Sequence, residues 1–148
     1  MIRRFALVLS LVSMPALAGE VSCPDLATVQ QVGNCSTEQE LKIGYAGYCS
    51  DNQRMYDKED QICLSLDNYK KVKDVSLWEA GQFQGYVHCS LPAETVKASK
   101  FRQVGVLRVG SMTRVVCSYD NELDFTFRTK AACAVEGGAA GGKVVCKD

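Results

Sequence analysis

The chain has 148 residues, 17 basic and 17 acidic, so its formal net charge is zero. That balance offers no electrostatic footprint for nucleic acid, and no apolar run reaches the ~20 residues of a membrane-spanning helix. The length allows one domain with a real hydrophobic core, so cross-links would supplement that core rather than replace it.

The first eighteen residues, MIRRFALVLSLVSMPALA, have the three-part plan of a secretory signal. Arg3 and Arg4 give the charged start, Phe5 to Val12 the short apolar run, and Ala16-Leu17-Ala18 the small residues of a cleavage site. Cleavage is expected after Ala18, leaving one disulfide-rich domain over 19–148 with 15 basic and 17 acidic residues. A lipid anchor is not expected, because the first cysteine is Cys23 and the charged Glu20 stands three residues before it. No Ser or Thr directly precedes the Arg pair, which favours the general secretory route over the twin-arginine one. A signal this short fits a bacterial chain.

All eight cysteines fall beyond the signal: Cys23, Cys35, Cys49, Cys63, Cys89, Cys117, Cys133 and Cys146. An even number in an exported chain reads as four disulfides. Zinc and dithiol redox chemistry both want closely spaced pairs such as C-x-x-C, and none exists. Eight cysteines allow 105 pairings. Short loop closures favour pairing within the first four and within the last four, with Cys89–Cys117 the one specific guess.

The chain to about Asp74 leans helical. In CSTEQELKIGYAGYC, Ser36 and Gln39 have the spacing of a capping box, with Glu38 and Glu40 in the first turn. Met55, Ile62, Leu66 and Tyr69 then recur at helical spacing and predict one apolar helix face, with a strand at ICLSL as the alternative. The acidic run DKED at 57–60 and the lysines Lys70, Lys71 and Lys73 read as solvated surface.

Strands dominate the rest. In GQFQGYVHCSLP, Phe83, Val87, Cys89 and Leu91 share one face, and Pro92 ends the run. QVGVLRVG is a second strand. SMTRVVCSYDNELDFTFRTK predicts a hairpin with a three-residue loop at Asp120-Asn121-Glu122. That register opposes Tyr119 to Leu123, Cys117 to Phe125 and Val115 to Phe127, all on one apolar face, whereas a two-residue loop would set Cys117 against Asp124. After a glycine-rich connection, KVVCK predicts a short terminal strand pinned by Cys146. The expected fold class is α+β, with the helix-leaning part packed on an antiparallel sheet of four or five strands. A mainly β fold is the alternative.

Catalytic signals are sparse. Asp120, Glu122 and Asp124 cluster near a predicted turn, where a solvated surface explains them. His88 is the single histidine, and its neighbour Cys89 would point to the opposite face of a strand. EGGAAGGK lacks the Lys-Ser or Lys-Thr ending of a phosphate loop. No cofactor or metal is expected. Trp78 and Tyr86 are the candidate binding surface, since aromatic rings offer a flat apolar body with a polar tip. These features point to an exported non-enzymatic binding or structural protein with a protein partner, an accessory component of a cell-envelope or secretion assembly. The alternative is a secreted effector or inhibitor of a hydrolase, presenting a protruding loop at Ala93 to Arg102 or at 137–142. A third reading, an enzyme of unfamiliar type, would use His88 with a carboxylate.

Overall fold

The computed structural model describes residues 19–56 and 61–147, with the backbone alone at 55 and 56. The expected signal at 1–18, the DKED run and the side chain of Met55 lie outside the described residues. In chain order the elements are β1 (Gly19–Ser22), β2 (Gln30–Gln31), α1 (Glu38–Tyr48), α2 (Asn52–Tyr56), α3 (Leu66–Lys73), β3 (Val75–Ala80) and β4 (Phe83–His88). They continue with α4 (Ala93–Ala98), β5 (Phe101–Val109), β6 (Met112–Tyr119), β7 (Asp124–Thr129), β8 (Ala132–Glu136) and β9 (Lys143–Lys147).

The strands form two antiparallel sheets rather than one of four or five strands. The larger has six strands in the order β2-β3-β4-β7-β6-β5, and the smaller has three in the order β1-β9-β8. The protein is thus α+β with strands predominating and four α-helices among the described residues. A single core lies between the sheets. Trp78, Phe83, Val87, Val104, Val115, Cys117 and Phe125 face it from the large sheet, and Val21, Val144 and Cys146 from the small one. In β3, β4 and β6 these residues belong to period-two runs, so each of those strands contributes one apolar face, whereas β5 buries only Val104 along its length. In β6, Thr113, Val115, Cys117 and Tyr119 are buried in strict alternation.

The β6–β7 hairpin has the expected register: Val115 opposes Phe127, Cys117 opposes Phe125, and Tyr119 N–H donates to the Leu123 carbonyl at 2.8 Å. Asn121 and Glu122 take left-handed φ of 60° and 57°, which lets a three-residue loop reverse the chain. KVVCK is β9, held by Cys133–Cys146 directly across the ladder.

The helical segment differs from the expected layout. The first helix is capped by Thr37, one residue later than expected: its hydroxyl accepts from Glu40 N–H, and the Glu40 carboxylate accepts from Thr37 N–H at 2.7 Å. Residues 55–69 are not one helix. A short 3-10 turn spans Gln61–Leu64, and Ser65, extended at φ −158°, caps a new helix through Asn68 N–H. Tyr45 and Tyr48 pack on the buried Tyr69, and the Tyr45 hydroxyl donates to the Cys63 carbonyl at 3.0 Å. Lys70, expected to be solvated, pairs with Glu38 at 2.6 Å and so ties α3 to α1. α1, α2 and α3 therefore form their own cluster, which joins the end of β4 and does not cover a sheet face. The segment Ala93 to Arg102 is no protruding loop. It is α4 followed by the start of β5, with Val96 fully buried in the core.

All eight cysteines pair, as Cys23–Cys117, Cys35–Cys89, Cys49–Cys63 and Cys133–Cys146. The guess Cys89–Cys117 is wrong, because β7 lies between β4 and β6 and Phe125 fills the position beside Cys117. Pairing within each half holds for two bridges only. The other two are nested around Cys49–Cys63, which loop-closure entropy allows because its cost grows only logarithmically with length. Cys23–Cys117 joins the two sheets, and Cys35–Cys89 fastens the helical cluster to the end of β4. Four bridges with no free thiol fit a chain that folds in an oxidising compartment. Among the described residues no helix is long and apolar enough to cross a membrane.

Candidate functional site

The two faces of the six-stranded sheet have different fates. One is sealed by the small sheet and α4, while among the described residues the other carries no packed layer. β3 and β4 show how the chain assigns its aromatics. In β3, Ser76, Trp78 and Ala80 are buried. Trp78 is 4% exposed, and its indole N–H donates to Ser76 Oγ at 2.9 Å. It is therefore a core residue and not part of a binding surface. Trp78 lies opposite Gly85, so the next residue, Tyr86, must point the other way. Tyr86 is 70% exposed. The expected pair of surface aromatics is thus split between the two faces.

The register defines what surrounds Tyr86. Gly105, Val116, Thr126, Gln84 and Glu79 form one row across five strands of the open face. Gly105 has no side chain to fill its place. The row on one side is Leu107, Arg114 and Arg128, and on the other side stand Ser118, Asp124 and Tyr86. A concavity of about 400 Å³ results, lined by Gln84, Tyr86, Arg114, Glu122, Asp124, Thr126 and Arg128, with Gly85 beneath.

Its electrostatics are uneven. Arg114 and Arg128 are direct cross-strand partners, an arrangement that destabilises a sheet by an amount on the order of what an opposite-charge pair contributes, roughly 0.2–1 kcal/mol. Neither guanidinium makes an ion pair or hydrogen bond among the described residues. On the far side, Asp124 accepts from the Ser118 hydroxyl at 2.6 Å. Gln84 Nε2 donates to Glu79 at 2.9 Å, which leaves the carbonyl oxygen of its amide free to accept. The third acid of the predicted cluster, Asp120, is structural: it binds Arg102 and accepts from Lys100 N–H. The Arg102 guanidinium holds its carboxyl below the usual aspartate range.

A second concavity, about 500 Å³, lies in the seam between the sheets, beside Cys23, Asp25, Phe101, Tyr119 and Gly142. The structure already uses several of its polar groups. Asp25 Oδ1 accepts from Ala27 N–H at 3.0 Å, Lys143 pairs with Glu20 at 3.1 Å, and the Tyr119 hydroxyl donates to the Pro24 carbonyl at 2.6 Å. Burial, and then the nearby Asp25 carboxylate, push the Tyr119 phenol up, so it stays a neutral donor.

His88 does not complete a catalytic set. Ser90 N–H donates to its Nδ1 at 3.2 Å, which assigns the ring proton to Nε2, 3.2 Å from the Lys70 carbonyl. The Ser90 hydroxyl donates to the same Nδ1 at 2.7 Å. A serine donating to an imidazole is half of a nucleophile–base pair. Here the pair sits on a tight turn outside both concavities, and its third member is a helix carbonyl. The ring stitches α3 to the end of β4. Cys89, its neighbour, lies just past β4 and is bonded to Cys35. Among the described residues no group of three or more His, Cys, Asp or Glu could hold a metal ion.

The residues that sequence reasoning missed are Arg114 and Arg128. Their signal was present as outward positions of the predicted hairpin, which put Val115 opposite Phe127 and so Arg114 opposite Arg128. No protein-family model, curated protein or solved structure matches the chain.

Proposed function

We propose that this protein is an exported, non-enzymatic binding protein that acts through the open face of its six-stranded sheet, as an accessory component of a cell-envelope or secretion assembly. The observation that carries the reading is the asymmetry of that sheet. One face is the sealed core, and the other presents Tyr86, 70% exposed, and, across the Thr126–Gln84 row from it, two arginines unpaired among the described residues. Four disulfides suit a module that must keep this face rigid where chaperones are absent. Export rests on the N-terminal signal pattern. Cleavage after Ala18 would leave β1 whole, since Gly19 already pairs with Cys146.

The test is site-specific photo-crosslinking in the protein's own host. A crosslinker at Gln84, on the open face, is compared with one at Lys97, on the exposed side of α4. A stoichiometric adduct in the envelope fraction at Gln84 and not at Lys97 supports the reading. Equal labelling at both positions refutes the assignment of the face. Recovery from the medium with no host partner replaces the assembly role with that of a secreted effector or inhibitor.

A further inference from the structure

The open face also suggests what it binds, an inference that rests on the binding role proposed above. Arg114 and Arg128 stand side by side in register, so their α-carbons are about 5 Å apart. Two like charges at that spacing repel each other, and no carboxylate among the described residues forms an ion pair with either, Asp124 and Glu122 standing elsewhere in the same concavity. An anion seated between them would relieve the repulsion. A carboxylate suits best, because guanidinium groups bind its two oxygens in parallel.

The surroundings say what the carboxylate is attached to. The floor of the trough is a sheet interior: β6 is paired along its length with β5 and β7, and β4 already occupies the other side of β7, joined to it at Gln84–Thr126. A peptide therefore cannot dock by adding a strand, the mode in which main-chain hydrogen bonds supply the affinity. Only side chains are on offer: the Tyr86 ring, the Gln84 amide oxygen, the Thr126 hydroxyl and the Asp124 and Glu122 carboxylates, which can accept from sugar hydroxyls, and the two arginines. A flat ring flanked by hydroxyl and amide groups matches a pyranose, which has an apolar face and a rim of hydroxyls. Adjacent same-face rows lie roughly 7 Å apart, so the trough runs across the strands as a channel about two rows wide, long enough for several linked sugars. We infer that the open face binds a linear acidic glycan, with uronate-type carboxylates on Arg114 and Arg128 and a sugar ring stacked on Tyr86.

The mature, oxidised protein is titrated calorimetrically with alginate oligomers, a linear polyuronate, with poly-L-glutamate and a neutral glucan as comparisons. Alginate should bind, and rising salt should weaken it. R114Q, R128Q and Y86A should each weaken it by roughly tenfold or more. R108Q, an exposed arginine whose partner Thr113 faces the core, should leave it unchanged. The arginine variants should melt no lower than the parent, because each removes a like-charge contact, so lost binding cannot be blamed on unfolding. Equal or tighter binding of poly-L-glutamate overturns the glycan assignment in favour of an acidic peptide. No alginate binding together with a defined protein adduct at Gln84 overturns this inference and leaves the binding role standing. Loss of both overturns both.

Discussion

Three of the four bridges are concentric, and this makes their stabilisation calculable. Cys23–Cys117 spans 94 residues, but the Cys35–Cys89 bridge inside it short-circuits 54 of them, leaving a new closure of about 40 residues. In the chain-entropy description, a closure of ~40 residues contributes about 4 kcal/mol at 25 °C. Cys133–Cys146 closes only 13 residues and contributes about 3 kcal/mol on the same basis. Replacing both Cys23 and Cys117 with alanine also leaves a small void, since Cys117 is 0% exposed, and adds about 1 kcal/mol. The expected loss is therefore about 5 kcal/mol, against a total of about 5–15 kcal/mol for an ordinary domain. Urea unfolding followed by fluorescence measures it directly, because the chain has one tryptophan and that residue, Trp78, is buried in the core. The m-value should rise with the larger unfolded chain. A loss below about 2 kcal/mol, or a greater loss on removing Cys133–Cys146, would refute the reasoning, since neither fits a stabilisation governed by the loop that each bridge closes.

Five further outcomes are expected. Tyr119→Phe should cost about 1–2 kcal/mol in the same assay, because it strands the Pro24 carbonyl. In an alkaline titration, Tyr119 should ionise above the ordinary tyrosine range, and the stability it contributes, full below about pH 10, should fall above that. Thr37→Ala should cost about 1 kcal/mol through the lost cap. The Glu40 carboxyl is held low by Thr37, the Glu38 carboxyl by Lys70 and the Asp120 carboxyl by Arg102. Depressed acids stabilise above their ordinary range, about pH 4, and lose that contribution as pH falls through their folded values. Acid unfolding should thus be less steep in Glu40→Gln, and an unchanged profile would count against the capping box. Gly85→Ala should cost about 1–3 kcal/mol, because a methyl group there would lie 2.8 Å from the Asp124 carbonyl and 3.1 Å from the Phe125 ring. A neutral result would show that β4 and β7 can move apart beneath the trough.

Much of the local structure was legible in the chain. Val115, Cys117 and Tyr119 alternate with polar neighbours, and that alternation sufficed to set the β6–β7 register and its loop. The evenness of the cysteines foretold four bridges. The capping box was misplaced by one residue because Ser36 and Thr37 are both good caps, and only Glu40, not Gln39, returns to bind the cap's own backbone. The break at Ser65 was hidden because an interrupted helix can keep helical spacing across its interruption.

Period-two alternation tells which residues of a strand share a face, and each strand carries that information within itself. It does not tell which strands are neighbours or which face another layer will cover. Those depend on the order β2-β3-β4-β7-β6-β5 and on the small sheet that joins Gly19–Ser22 to the far end of the chain. Hence the sequence determined that Tyr86 lies on a strand and that every cysteine is oxidised, while tertiary structure alone decided that Trp78 is core and Tyr86 surface. It also decided the nested pairing, because bridge partners are chosen by proximity across strands and not by separation along the chain. The Arg114–Arg128 pair belongs to both levels: the hairpin register opposes the two residues, and only the absence of a covering layer leaves them facing solvent.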